Sequence, residues 1–241
     1  MPIEQTVIDH IVVTASDLET GVAYVRETLG IEPDGGGEHP KMGTHNRLLR
    51  CGPACYLEVI AINPDAPAPA RPRWFGLDGM GDQIEDRSRS PYSLSSESSR
   101  ISSATTPTHA AAPRLAAWVV QTTDIHGVVA TSSEPLGTIT PMQRGSLDWL
   151  ITIPETGLAP LDGLAPALIE WHTPSLPVLA MPDRGLLLEK LEIYHPQAER
   201  MQALIASLNL QAPVSVLPCP SGSAPGLKAT IRTPDGIREL S

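Results

Sequence analysis

The chain opens on "VIDHIVVTAS" (7–16), a β-branched run in which Ile8, His10, Val12 and Thr14 fall on one side of an alternating pattern. Val7, Ile11 and Val13 fall on the other, so the run reads as a strand buried on both faces with one histidine set into an apolar row. The period then changes. Leu18, Val22, Val25 and Leu29 recur at helical spacing. Ser16 and Glu19 stand at capping-box spacing ahead of them, and Gly30 supplies a stop. After the Gly-rich turn "DGGG", "THNRLLRCG" and "ACYLEVIAINP" return to strand character, joined by a Gly-Pro turn. In the last of these Tyr56, Glu58, Ile60 and Ile62 share a face, which sets a carboxylate among bulky apolar groups. The first 62 residues therefore read as a β-α-β-β-β unit.

The same order returns after residue 114. "VVQTTD" (119–124) aligns with "VVTASD" (12–17), and "SLDWLITIP" and "ALIEWHTP" supply later strands, the second placing Glu170 where Glu58 falls. A third copy starts at "LEKLEIYHP", with Met201, Leu204, Ile205 and Leu208 on one helix face and "VSVLPCP" and "GLKATIRTPDGIREL" as closing strands. Between the first two copies, residues 85–113 are rich in Ser, Thr, Pro and Ala and too poor in apolar groups to offset the entropy of ordering. The organisation is thus a first module with a Pro-rich extension (1–80), a flexible insertion (81–113), a second module (114–184) and a third β-α-β-β-β-like repeat (185–241). Trp74 and Phe75 are expected to anchor the Pro-rich extension on the core.

Composition narrows the partners. Seventeen basic and 27 acidic side chains give a net charge of −10, which argues against nucleic acid and anionic membranes. No run approaches the ~20 apolar residues of a spanning helix, and "MPIEQTVIDH" lacks a secretory pattern, so a cytoplasmic protein is expected. Cys51, Cys55 and Cys219 have no paired spacing that would make a disulfide framework or a structural zinc site.

A buried unpaired carboxylate costs several kcal/mol, so Glu58 must meet a cation, and His10 or a metal ion would serve. The strand "DHIVV", the helix after it, the loop "HPKMGTHNRLL" (39–49) and the strand "YLEVIAI" resemble the glyoxalase-like branch of the vicinal oxygen chelate superfamily. The resemblance is most specific over residues 7–80 and weaker from 114 to 184. It implies an α+β fold in which repeated β-α-β-β-β modules form a curved, cup-shaped mixed sheet with helices outside.

It further implies a divalent metal (Zn, Ni, Mn, Fe or Mg) inside the cup, held by His10, Glu58 and Glu170 with water completing the shell. The place matching His10 is Ala117 in the second copy and falls near Lys190 in the third, so a fourth protein ligand is missing. His195 lies beyond the expected position. Glu58 or Glu170 would act as general base beside a carbonyl, and His45, Asn46 and Arg47 would face a polar or anionic ligand at the cup mouth. The expected activity is that of a lyase or isomerase on a small oxygenated metabolite. The alternative is a non-catalytic protein that sequesters one, with His10 and Glu58 as a structural pair. A small-molecule ligand is the expected partner, and a homodimer is left open.

Overall fold

The computed structural model describes residues 5–80, 111–173, 175–220 and 222–241; most of the Ser-rich insertion, including His109, lies outside the described residues. β1 (Val7–Thr14) leads into α1 (Leu18–Leu29), and β2 (Asp34–His39), β3 (Thr44–Arg50) and β4 (Tyr56–Ile62) complete the first module. The second consists of β5 (Arg114–Gln121), α2 (Ile125–Thr131), β6 (Thr138–Arg144), β7 (Leu147–Ile153) and β8 (Ala167–Trp171). Together they form one sheet of eight strands in the order β2-β3-β4-β1-β5-β8-β7-β6. Each module pairs its first strand with its last in parallel, β1 with β4 and β5 with β8, and β1 and β5 join the halves antiparallel. Module two is therefore the partner of module one.

The sheet curls until its two edges meet. Arg144 at the end of β6 reaches His39 on β2, with Nη1 3.2 Å from Nε2, and Lys41 Nζ donates to the Pro141 carbonyl at 3.3 Å. These side-chain contacts bridge the two edge strands. The curl also wraps the inner face around a cluster of Val12, Ile60, Val119, Ile151 and Ile169, capped by Trp74 and Leu77 from the Pro-rich extension. Trp74 is buried, and Arg71 ties the segment to β7 by donating to the carbonyls of Ile153 and Pro154.

The outer face of the same sheet packs into a second cluster with α1 and the C-terminal unit. That unit runs β9 (Leu187–His195), α3 (Ala198–Ser207), β10 (Val214–Pro218), β11 (Gly226–Thr233) and β12 (Gly236–Leu240). Its element order is again β-α-β-β-β, but its pairing differs. β9 takes the strand directly after its helix, β10, as a parallel neighbour and β11 on the other side, giving a separate sheet β10-β9-β11-β12. Met201, Leu204 and Leu208 are buried on one side of α3, as their spacing predicts.

Two local readings are corrected. The N-cap of α1 is Asp17, whose Oδ1 accepts from Thr20 N at 2.8 Å; Ser16 instead donates to Asp17. "DGGG" is the start of β2, not a turn, with a register shift between Asp34 and Gly37. Gly36 makes that possible: its φ is +87°, and a Cβ there would stand 2.1 Å from the Asn46 carbonyl oxygen. The same irregularity leaves the Gly37 N–H free to donate to Asn46 Oδ1 at 2.8 Å, which fixes a side chain of the site.

Candidate functional site

β1 departs from simple alternation at one residue. The ladder with β5 pairs Ile8 with Val120 and His10 with Val119, so Asp9 is an inserted, unpaired position. The bulge sends Ile8 into the outer cluster with Ile11 and Val13 and turns His10 and Asp9 toward each other. His10 Nδ1 lies 2.6 Å from Asp9 Oδ1, and Asp9 Oδ2 accepts from the Trp171 indole N–H at 2.8 Å. On its other side His10 Nε2 lies 3.5 Å from Glu58 Oε2, while Tyr56 stacks on the ring at 4.6 Å. Glu58 Oε1 accepts from Asn46 Nδ2 at 2.5 Å, and Asn46 Oδ1 accepts from Arg144 Nη1 at 3.2 Å. Arg144 in turn donates to His39 Nε2, whose Nδ1 lies 3.2 Å from Thr44 Oγ1. One chain of contacts therefore crosses the cup from β8 through β1, β4 and β3 to β6 and β2.

The charge states follow from that geometry. Burial alone would lower the His10 pKa, but the hydrogen bonds and charges of Asp9 and Glu58 outweigh it and raise it from 6.5 to about 9. His10 is an imidazolium at neutral pH. Burial would raise the Glu58 carboxyl, yet the hydrogen bond and charge of His10, with the Asn46 hydrogen bond behind them, hold it down at about 2. His39 behaves oppositely: burial pushes it down to about 4, so it is neutral, with Nε2 left to accept from Arg144.

A pocket opens over this floor, lined by His10, Asn46, Tyr56, Glu58 and Arg144. Its walls are aromatic. Trp149 and Trp171 stand 5.3 Å apart, and Trp74 stacks on Phe75 at 5.7 Å. Phe75 carries a φ of +58°, unusual for a bulky residue and a form of strain that collects at ligand sites.

Of the residues expected from the sequence, His10, Glu58 and Asn46 come together in the cup. His45 and Arg47 alternate to the other face of β3 and line a shallow surface groove beside Asp17 and Glu19 of the first helix. Glu170 lies on the helix side of β8: its Oε2 accepts from Ile125 N at 2.7 Å, at the start of α2, and its Oε1 meets His172 Nε2 at 2.7 Å. Register explains the misplacement. The β4 ladder sets Glu58 opposite Val12, and the matching ladder in module two sets Ala167 opposite Val119. Glu170 is three residues further on, an odd step that reverses the face. His195 is buried at the end of β9, 3.1 Å from Asp162, in the C-terminal sheet.

A three-ligand protein site for a divalent metal does not fit this arrangement. Module two presents Ala117, Val119, Ala167 and Ile169 to the cup where further ligands would stand. His10 has both nitrogens engaged by carboxylates, and a guanidinium lies one amide away from Glu58. Among the described residues no group of three or more His, Cys, Asp and Glu is placed to hold a metal. Cys51, Cys55 and Cys219 are free thiols. Replacing Glu170 by Ala is expected to lower stability by about 1 kcal/mol through loss of its bond to the Ile125 N–H, with Asp124 still capping α2, read as a melting shift of roughly 2–4 °C, and to leave ligand affinity unchanged. Loss of ligand affinity in that variant would return Glu170 to the site.

Residues 8–209 match the family described as the glyoxalase-like domain. The chain belongs to that family. No curated protein matches it in sequence. Among solved structures, a hypothetical protein from Staphylococcus aureus aligns at a TM-score of 0.57 and 12% identity, covering 98% of this chain and 98% of its own. That likeness shows a shared fold that includes the C-terminal unit. A methylmalonyl-CoA epimerase variant from Streptomyces coelicolor in complex with 2-nitronate-propionyl-CoA aligns at 0.41 and 17% identity, covering 70% of this chain and 97% of its own. The Mycobacterium tuberculosis methylmalonyl-CoA epimerase aligns at 0.41 and 11%, covering 72% and 91%. At those scores no residue or ligand of the epimerases is carried across to this glyoxalase-like chain. No helix among its described residues is long and apolar enough to cross a membrane.

Proposed function

We propose that this glyoxalase-like chain is an isomerase or lyase that moves a proton on a small oxygenated metabolite held in the cup, with His10 as acid and Glu58 as base. The observation that carries the reading is the His10 imidazolium, locked by Asp9 on one nitrogen and facing Glu58 across 3.5 Å on the other. An acid and a base this close serve neighbouring atoms of one carbonyl compound. Glu58 takes the proton from the carbon beside the carbonyl as His10 gives its Nε2 proton to the carbonyl oxygen, and an enol results. Return of the proton at another face or atom completes an isomerisation; expulsion of a leaving group from the adjacent carbon completes an elimination.

The low pKa of Glu58 depends on its contact with His10. A substrate that enters between the two weakens that contact and strengthens the base where it is needed. Asp9, held by Trp171, keeps the imidazole oriented, as the carboxylate does in a nucleophile-base-acid triad. Burial under aromatic walls strengthens each of these charges by excluding water.

A sequestering protein of the same fold remains the competing reading, because the floor already pairs its own charges. Proton exchange separates the two. A panel of enolisable 2-oxo aldehydes and 2-oxo acids in D2O, followed by proton NMR, is expected to contain members whose C–H signal fades with enzyme. The rate should fall 10²- to 10⁴-fold in Glu58→Gln and in His10→Asn. Binding without exchange across the panel, or exchange unaffected by both substitutions, overturns the enzyme.

A further inference from the structure

The acid-base pair occupies one side of the cup, and the other side holds two donors that the reaction above does not use. Arg144 is the one guanidinium among the lining residues, which include no lysine. Its Nη1 bonds Asn46 and His39, and its charge meets no carboxylate there, since Asn46 stands between it and Glu58. The second donor is the indole N–H of Trp74, a residue 5% exposed whose Nε1 is buried with no hydrogen-bond partner among the described residues. A buried N–H in that state costs about 1–3 kcal/mol, which a bound acceptor would recover. Both donors flank the same ring: Arg144 bonds His39, and Trp74 meets it edge-on with centroids 5.0 Å apart. His39 is neutral, so it adds no second positive charge and screens none.

We infer that Arg144 and Trp74 form the anchor for a single carboxylate, and that the molecule taken into the cup is an apolar-bodied 2-oxo monocarboxylic acid. This rests on the proton-transfer reading for its oxo group, and on the donors alone for its carboxylate. A guanidinium with free N–H groups and an added indole N–H matches the two oxygens of a carboxylate. The His10 imidazolium is already matched by Asp9 and Glu58, so the one guanidinium without a carboxylate suits one negative charge and disfavours a polyphosphate, which would demand several. Glu58 and His10 follow from Arg144 across Asn46, so a molecule anchored at Arg144 extends its oxo group and acidic C–H toward the acid-base pair. The rest of the molecule lies against the Trp149, Trp171 and Phe75 side chains.

Calorimetric titration of the full chain with 2-oxo-4-phenylbutanoate and with its uncharged methyl ester tests the anchor. The acid is expected to bind at least ten times more tightly than the ester. In Arg144→Met the acid should weaken at least thirtyfold and the ester by less than threefold, with Arg144→Lys between parent and Met for the acid. Trp74→Phe, which keeps the ring and removes the N–H, should weaken the acid several-fold while sparing the ester. Equal affinities for acid and ester in the parent, or acid binding unchanged in Arg144→Met with an unaltered melting temperature, overturns the anchor. Proton exchange, measured beside acid binding, separates this inference from the enzyme reading. Arg144-dependent acid binding without proton exchange in the parent leaves the anchor and removes the catalyst; exchange on 2-oxo aldehydes with Arg144-independent acid binding does the reverse.

Discussion

Replacing His10 by Ala is expected to destabilise the fold at pH 7 by about 3–5 kcal/mol, more than its loss of packing alone explains. The imidazolium is the cation between Asp9 and Glu58, each of which is buried. Removing it leaves two carboxylates in an aromatic cup, with Arg144 reaching only as far as Asn46. Neither can regain water, and each raises the cost of ionising the other. The signature is in the pH response. Because Glu58 then loses the contact that holds its carboxyl down, the deficit of His10→Ala should shrink as pH falls from 7 to 5, whereas a packing defect would stay constant. Adding Glu58→Gln removes one of the stranded charges and should recover part of the loss at pH 7. Urea denaturation of the parent, the single variant and the double variant at both pH values gives all the numbers needed. A deficit under about 1 kcal/mol, unchanged with pH, would mean that the floor is not the charged network described here.

Much of the scaffold is legible in the residues because burial imposes a period. β1, β4 and β5 are apolar enough to announce themselves, and the aligned "VVTASD" and "VVQTTD" mark the start of two modules whose first strands do pair. His10 and Glu58 are legible for the same reason, since an ionisable group in such a row needs a partner. What alternation cannot show is an added residue. Asp9 reads as facing away from His10 until the bulge turns both inward, and "DGGG" reads as a turn because a strand built on glycines in positive φ carries no apolar pattern. Aligning "ALIEWHTP" with "YLEVIAINP" sets Glu170 on Glu58, and such an alignment says nothing of a three-residue offset in the ladder.

The guanidinium is the instructive case. A cation facing the ligand was expected from this loop, and Arg47 was the candidate, but alternation carries it to the outer face of β3. The guanidinium in the cup is Arg144, nearly a hundred positions away in the other module. Only the curl of the sheet brings β6 against β2. No local pattern encodes a contact made by the closing of two edges.

The opposite shifts of the two cup histidines make stability itself pH-dependent in a form that few proteins would show by accident. His10 is raised from 6.5 to about 9, so its contribution is complete below about 6.5 and is lost as pH rises through 9. His39 is lowered from 6.5 to about 4, so the unfolded chain takes up a proton that the folded one refuses, and stability is lost as pH falls from 6.5 to 4. Glu58, held down from 4.5 to about 2, adds a further loss below 4.5. The two limbs meet near pH 6.5, where unfolding free energy should peak and fall on either side by about 1 kcal/mol per pH unit. His10→Gln should flatten the alkaline limb between pH 6.5 and 9 and, by freeing the Glu58 carboxyl from the contact that holds it down, change the acid limb as well, whereas His39→Gln should flatten the limb between 6.5 and 4 and leave the alkaline one. Urea midpoints measured from pH 5 to pH 9 decide it. A parent whose stability is level from 6.5 to 9 has a neutral His10, and a neutral His10 could not be the acid that the proposed reaction requires.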